Sequence, residues 1–131
     1  MNISVLFDTA IAKLEAQDTK AFNPNYGVGA YRYNGTSCLF GGMIDDALYK
    51  PEMDAHRDES GNVVKRAPSN ESAILDAIRA STGVNLLDDL SAEDIETIHG
   101  IHEVEWQPGR SFKALLPAEV SAKIWPLEPV H

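Results

Sequence analysis

The stretch that decides the fold is residues 26–54, YGVGAYRYNGTSCLFGGMIDDALYKPEMD, which holds the chain's only cysteine and five of its nine glycines. Asn34 and Gly35 lie between two short strand-like runs, and both residues tolerate the positive φ angles of a type I′ turn. A two-residue loop fixes the pairing of the strands, so Arg32 is predicted opposite Ser37. The stretch therefore predicts a tight β-hairpin.

The two faces of this predicted hairpin differ in chemistry because side chains alternate across a strand. The first face is aromatic and is predicted to be buried, since rings remove much apolar area from water. It carries Tyr31, Tyr33, Cys38 and Phe40. The other face carries Ala30, Arg32, Ser37 and Leu39.

The glycine pair 41–42 is predicted to end the second strand, where a β-carbon would obstruct a turn or a close backbone approach. Asp45 or Asp46 is positioned to cap a short helical segment, residues 47–49, and Pro51 stops it. The order of the stretch is therefore strand, turn, strand, glycine pair, short acidic helix and proline exit.

Helices are predicted outside the hairpin wherever apolar residues recur at a spacing of three or four. They cover residues 3–17, 71–82, a segment that starts at Ser91, and 117–124. The predicted capping residues are Asn2 or Ser4, Ser69 or Asn70, and Ser91 with Asp94; Gly83 is the predicted stop of the second helix. The sequence thus predicts an α+β fold.

We expect one domain over residues 1–131, in which a small antiparallel hairpin or sheet packs against about four helices. Residues 18–29 are predicted to form a connecting loop. Residues 55–69 are polar and are predicted to form either a mobile loop or a second, exposed hairpin. The tail, residues 125–131, contains two prolines and is predicted to be irregular.

Twenty acidic against eleven basic residues give a formal net charge of −9. This charge repels phosphate backbones, so general nucleic-acid binding is disfavoured and docking on a basic protein surface is favoured. No apolar run approaches the ~20 residues that span a bilayer. The first residues lack the basic region of a signal peptide, and we expect a soluble protein in the cytoplasm.

A resemblance to a known family rests on a motif in the first half of the chain. The motif consists of Tyr31, Arg32, Gly35, Cys38, Gly41 or Gly42, Ile44, Asp46, Tyr49, Pro51, Met53 and Asp54. It resembles a family of small bacteriophage and prophage proteins, and Ile101-His102-Glu103 followed by Trp106 is similar to a later part of that family. Leu39-Phe40 and the insert 55–68 depart from the pattern. The resemblance implies a phage origin, hence the host cytoplasm, and implies no particular chemistry.

The candidate binding residues cluster around the hairpin, with one aromatic residue in the tail. They are Arg32, Tyr33, Asp45, Asp46, Tyr49 and Trp125. An arginine between two tyrosines suits cation–π contact or an acidic partner, and a solvated surface charge is an equal alternative for Arg32. Trp125, between helix and prolines, is a candidate anchor at an interface, including one with a second copy of the chain.

Catalytic and metal-binding interpretations are weaker. Cys38 is the only thiol, and the strand pattern places it on the core face, where a free cysteine behaves as a small hydrophobe. Glu96, His99 and His102 follow a spacing that can hold a metal, but interspersed isoleucines favour an ordinary amphipathic helix. We therefore predict no catalytic residue, no metal and no cofactor.

The favoured function is that of a non-enzymatic phage accessory protein, which binds and inhibits a host protein of an antiphage defence. A first alternative is capture of a nucleotide immune signal, with cations drawn from Arg32, Arg57, Lys65, Arg66 and Arg110. A second alternative is a small hydrolase or transferase that uses Cys38 and a histidine. A structural protein of the virion is a further reading.

Overall fold

Four α-helices and three two-stranded antiparallel hairpins make up residues 1–126, the part of the chain that the computed structural model describes. The helices are α1 (Ile3–Glu15), α2 (Ser72–Thr82), α3 (Ala92–Gly100) and α4 (Ala118–Ile124). The hairpins pair β1 (Phe22–Asn23) with β2 (Val28–Gly29), β3 (Arg32–Tyr33) with β4 (Thr36–Ser37), and β5 (His56–Arg57) with β6 (Val63–Val64). The predicted α+β single-domain fold is confirmed.

Short helical turns link these elements. Turns of 3-10 type span Gly41–Met43, Pro51–Met53, Leu86–Asp88 and Lys113–Leu115, and a π-helical turn spans Ile101–Glu105. The predicted irregular tail begins at Trp125, which follows α4 outside helical geometry. From residue 127 onward this prediction lies outside the described residues.

The central hairpin has the predicted register, with Arg32 opposite Ser37. Asn34 has φ 49° and Gly35 has φ 82°, as a turn with two left-handed residues requires. At the base of the hairpin, the Cys38 amide donates to the Tyr31 carbonyl oxygen at 3.0 Å. The Asn-Gly turn therefore accounts for the register of the hairpin.

The prediction of one buried and one outer hairpin face needs correction. Tyr31, Cys38 and Phe40 are buried as expected, but Ala30 and Leu39 on the opposite face are each only 1% exposed. Tyr33 is half-buried. The physical reason is depth, because the base of the hairpin lies inside the core, with Ala30 bonded to Ala21, while its tip reaches solvent.

Helix α1 covers the core with a continuous apolar stripe. Its buried residues are Ile3, Leu6, Phe7, Ala10, Ile11 and Leu14. Asn2 is the N-cap, and its side chain accepts a hydrogen bond from the Val5 amide at 2.9 Å. The helix packs against the Gly41–Met43 turn, which follows the β3–β4 hairpin.

The glycine at position 41 is required by a close backbone approach. A β-carbon there would lie 2.0 Å from the carbonyl oxygen of Tyr31, which is far inside van der Waals contact. The residues that follow, 46–48, form a single turn in which Asp45 O accepts from the amides of Leu48 and Tyr49. The predicted short acidic helix is therefore wrong, because the approach of Pro51 leaves room for only one turn.

The end of α2 and the start of α3 lie at the predicted residues, whereas the start of α2 does not. Gly83 ends α2 in the left-handed conformation, and Ser91 and Asp94 form a reciprocal capping box at the start of α3. The predicted cap of α2 at Ser69 or Asn70 is wrong. The N-cap is Glu71, without a side-chain bond, because the buried Ser69 hydroxyl donates to Glu96 Oε1 at 3.1 Å instead.

Two loops of the predicted fold contain hairpins. Residues 18–29 were expected to be a loop, but they hold the paired strands β1 and β2, which are too short to give an alternating pattern. Residues 55–69 follow the second of the two predicted alternatives, since β5 and β6 pair and Gly61 turns the chain with φ 82°. The mobility expected of this segment stays a prediction.

Candidate functional site

A cleft of about 550 Å³ lies between the C-terminal half of α1 and the β3–β4 hairpin. Its size falls within the range of pockets that bind small molecules or peptide side chains. It is lined by Lys13, Gln17, Arg32, Tyr33, Asn34, Gly35, Thr36, Ser37, Gly42, Asp46 and Tyr49. Four of the six predicted binding residues therefore meet in one place: Arg32, Tyr33, Asp46 and Tyr49.

Arg32 lies in the wall of the cleft, and its guanidinium group forms several hydrogen bonds within the protein. Its Nε donates to the Gly41 carbonyl oxygen at 3.1 Å, and its two terminal nitrogens bond the Ile44 carbonyl oxygen and the Asp46 carboxylate. Its guanidinium also stacks on the Tyr49 ring, 5.3 Å from the centroid. Arg32 thus ties the glycine turn to the hairpin, and its side chain is only 20% exposed.

Asp54 closes one edge of the hairpin. This buried carboxylate accepts hydrogen bonds from the amides of Tyr31, at 2.6 Å, and Arg32, at 3.2 Å, and from the Tyr49 hydroxyl. Burial, together with the hydrogen bond to Asp54, raises the pKa of Tyr49 above its ordinary value. The β3 edge is therefore satisfied by a side chain, which blocks pairing with another strand.

Gln17, two residues after the end of α1, closes the other edge of the hairpin. Its Oε1 accepts from the Ser37 amide at 2.7 Å, and its Nε2 donates to the Ser37 carbonyl oxygen at 2.8 Å. Next to it, Lys13 Nζ donates to the Gly42 carbonyl oxygen at 3.2 Å. Neither Lys13 nor Gln17 was predicted as a site residue, since polar residues on a helix or just after its end give no signal of what they contact.

The remaining two predicted binding residues lie outside the cleft lining. Asp45 is exposed, and its amide donates to Ser81 Oγ at 2.8 Å. Trp125 lies against α1, where its Nε1 donates to Asp8 Oδ1 at 2.8 Å and its ring meets Phe7 edge to face. Trp125 is therefore half-buried packing at the other end of α1, while Asp45 adds charge next to the cleft.

A second cluster of charged and polar groups lies where the β5–β6 segment meets α3. Arg66 Nη2 lies 2.5 Å from His99 Nε2 and 2.9 Å from Glu103 Oε1, and its guanidinium covers the Tyr31 ring at 4.9 Å. The contact with Glu103 is an ion pair rather than an aligned hydrogen bond. Because Arg66 can only donate, His99 Nε2 is the acceptor, and its proton sits on Nδ1.

The electrostatics of this second cluster keep His99 neutral and Glu103 charged. Burial, reinforced by the adjacent Arg66, lowers the pKa of His99 to about 4. Burial opposes the ionisation of Glu103, but His102 and Arg66 outweigh it and lower the Glu103 pKa to about 2. The cluster therefore fastens Arg66, at the end of the β5–β6 segment, to α3 and the turn that follows.

The π-helical turn Ile101–Glu105 carries two members of this region, His102 and Glu103. The turn is closed by a bond from the Trp106 amide to the Ile101 carbonyl oxygen at 2.8 Å. His102 is buried and stacks on the Trp106 ring at 5.7 Å. The spacing of Ile98, Ile101 and His102 predicts a regular helix here, and the π-helical turn corrects that prediction.

The histidines and acids of α3 do not converge as metal ligands. Glu96 accepts from Ser69, His99 faces Arg66, and His102 faces Trp106. Within residues 1–126, no three His, Cys, Asp or Glu side chains lie in an arrangement that could hold a metal ion. The Arg66 guanidinium is instead the cation beside the Glu103 carboxylate.

Cys38 is buried, 1% exposed, and its sulfur accepts a hydrogen bond from the Gly41 amide. Burial raises the pKa of its thiol to about 12, so the thiolate is a negligible fraction at neutral pH. A nucleophilic cysteine needs the opposite environment, with partial exposure and a lowered pKa. Cys38 therefore acts as a packing residue under the hairpin.

Comparisons with protein-family models, with curated proteins and with solved structures give no match for this chain. Within the described residues, no helix has the length and apolar character that crossing a lipid bilayer requires. The longest of them, α1, has 13 residues.

Proposed function

We propose that this chain is a phage-encoded accessory protein that acts by binding a host protein of an antiphage defence and thereby inhibiting it. The single observation that carries the proposal is the cleft beside the hairpin, whose lining includes Arg32, Tyr33, Asp46 and Tyr49. The phage origin is proposed on the resemblance alone. The inhibitory role is part of the same proposal, because a bound chain blocks the surface of the host protein that it covers.

The chemistry of the cleft supports a protein partner over a nucleotide. Phosphates are normally held by several converging cations, but two cationic side chains line the cleft, Lys13 and Arg32. Arg57 donates to the Gly61 carbonyl oxygen in its own hairpin, and Arg66 pairs with Glu103. The net charge of −9 further favours a partner with a basic surface.

Affinity capture from extracts of the native host tests this proposal. We expect the wild-type chain to retain a specific host protein, identified by native mass spectrometry of the complex. Tyr33→Ala and Asp46→Ala, both in the cleft, should each weaken retention at least tenfold. The matched controls are Tyr26→Ala and Asp76→Ala, which remove the same chemical groups away from the cleft lining; Asp76 is exposed on α2.

Equal retention by the cleft and control variants would reject the cleft as the binding site. A thermal-shift and calorimetry screen against cyclic and ADP-ribose-type nucleotides provides the second arm of the test. Stabilisation by a nucleotide without capture of any host protein would replace the proposal by the nucleotide-capture alternative.

A further inference from the structure

Some backbone amides and carbonyls in the wall of the cleft form hydrogen bonds with side chains instead of with a neighbouring strand. In an antiparallel pair, the residues alternate between those that bond across the hairpin and those that point outward. The Cys38 amide bonds across to Tyr31, so the amide and carbonyl of Ser37 point outward, into the cleft. Ser37 is thus the position at which the β4 edge could pair with a further strand.

A glutamine side chain occupies that position. Its amide presents one acceptor and one donor, the same pair that a peptide group of a neighbouring strand would present, at 2.7 and 2.8 Å. Lys13 closes the Gly42 carbonyl in the same way. Both Gln17 and Lys13 are long side chains that lose rotamer freedom in these bonds, and their release restores it.

We propose that the cleft receives an extended polypeptide segment of the partner, which adds as a strand to β4 at Ser37 and replaces the Gln17 amide. This inference rests on the proposed function and specifies its binding mode. The opposite edge cannot serve, because Asp54 is buried and holds two hairpin amides and the Tyr49 hydroxyl at once. Strand addition at an exposed edge is a recurrent mode of peptide recognition, with affinity from backbone bonds.

The cations that line the cleft, Lys13 and Arg32, are engaged by backbone carbonyl oxygens, whereas the exposed acidic groups face solvent and favour a basic segment. The Asp46 side chain is 98% exposed, and although one of its oxygens contacts Arg32, its outer side faces solvent. Asp45 adds a second exposed carboxylate next to it, and the Tyr33 ring lines the cleft. A lysine or arginine on the added strand gains both charge attraction and cation–π contact. With residues alternating in a strand, the segment carries basic side chains at every second position.

The probe for this binding mode is an acetylated, amidated octapeptide of alternating lysine and valine. We expect it to bind the full chain and to shift the amide signals of Ser37 and Gly42 in nitrogen-15 NMR, with slowed hydrogen exchange at Ser37. The same peptide with N-methyl groups on alternate backbone nitrogens keeps its charge but loses donors, and its affinity should fall at least tenfold. An octapeptide of alternating glutamate and valine should not bind.

Variants at position 17 test whether the peptide displaces the Gln17 side chain from Ser37 or instead binds to that side chain. Gln17→Ala removes the side-chain amide that bonds Ser37. The affinity for the peptide should rise at least threefold, because the peptide no longer competes with that amide. Gln17→Met is the second variant, which keeps the length of the side chain but removes its amide. Gln107→Ala is the matched control on an exposed glutamine outside the cleft, and its affinity should equal that of the wild type.

Three outcomes would overturn the strand-addition inference. They are equal binding of the N-methylated peptide, weaker binding by both position-17 variants, and no binding of the lysine–valine peptide. If any of these is observed while host-protein capture still depends on Tyr33, the proposed function stands and only the binding mode fails. If host-protein capture fails as well, the proposed function fails with it.

Discussion

At the scale of single residues, this protein depends on side chains that replace backbone partners. Asp54 and Gln17 each close one edge of a hairpin whose strands have only two residues apiece. Arg32 holds the carbonyls of the turn that follows. Isolated two-stranded hairpins are marginal in water, so these side chains are what makes the hairpin a rigid platform.

The tightest constraint at this scale is the glycine at position 41, which leads to a stability prediction. Gly41→Ala should destabilise the protein by about 3 kcal/mol, the upper end of the usual cost of forcing atoms into a packed core. The reason is that the added carbon meets a backbone oxygen, that of Tyr31, at 2.0 Å. Urea denaturation monitored by tryptophan fluorescence measures the loss.

The neighbouring Gly42→Ala is the matched control for this prediction. Its added carbon would lie 3.3 Å from the Ser37 hydroxyl oxygen, which can rotate away. The expected cost is about 1 kcal/mol or less, as for other changes without a fixed obstacle. Equal losses for the two variants would show that the approach of Tyr31 to the turn is not the cause.

At the scale of elements, the helices are defined by local signals and the segments between them by tertiary contacts. Helix α3 starts at a capping box that is readable in the sequence, and α2 stops at a left-handed glycine. The β5–β6 segment instead depends on Arg66, whose partners, His99 and Glu103, come from a helix more than thirty residues later. The two kinds of element should respond differently to mutation and pH.

The start of α3 gives a prediction for a local signal. Ser91→Ala should destabilise the protein by about 1 kcal/mol, the typical cost of removing an N-cap hydroxyl. The lost bond is the one from the Asp94 amide to Ser91 Oγ at 3.0 Å. Ser72→Ala removes a hydroxyl that is not at a cap, and its effect should stay within about 0.5 kcal/mol. Thermal unfolding by circular dichroism compares the two, and equal effects would contradict the capping role.

The cluster around Arg66 gives a prediction for the pH dependence of stability. His99 has a pKa of about 4 in the folded protein, below its ordinary value of 6.5, so the unfolded chain binds more protons between these values. The stability that neutral His99 contributes is therefore present above pH 6.5 and is lost as the pH falls towards 4. Glu103, with a folded pKa of about 2 against an ordinary 4.5, loses its contribution between pH 4.5 and 2.

Urea titrations from pH 8 to pH 3 measure this dependence. The variant His99→Gln, which keeps an acceptor for Arg66 but does not titrate in this range, should flatten the curve between pH 6.5 and 4. The slope below pH 4.5 should remain, because Glu103 is unchanged. A wild-type curve that is already flat between pH 6.5 and 4 would contradict the assignment of His99.

At the scale of the whole molecule, the chain carries a formal net charge of −9. Long-range attraction between an acidic protein and a basic partner raises the association rate and is screened by salt. Capture of the host protein should therefore depend on ionic strength mainly through the association step. The dissociation rate should change less, because it reflects the contacts formed inside the cleft.

Surface plasmon resonance with the captured partner tests this expectation. The association rate should fall roughly tenfold between 20 mM and 500 mM salt, as for other electrostatically steered pairs. The dissociation rate should vary by less than about threefold over the same range. An association rate independent of salt would argue against a basic partner surface, whatever the binding mode.

The features of this protein that depend on residues close together in the chain could be predicted from the sequence. The Asn34-Gly35 turn, the stripe of α1 and the Ser91 capping box follow from backbone preferences and from the periodicity of apolar residues within one element. Four residues that line the cleft were also among the predicted binding residues, since the hairpin and the turn after it are close along the chain.

The polar side chains that join separate elements could be identified only from the folded protein. Gln17 meets Ser37, and Arg66 meets His99, across twenty and thirty-three residues of chain. A polar residue on an outward face gives the same sequence pattern whether it ends in water or on a distant backbone edge. The partner of such a side chain is fixed by how the elements pack, and that information is not present in any single segment.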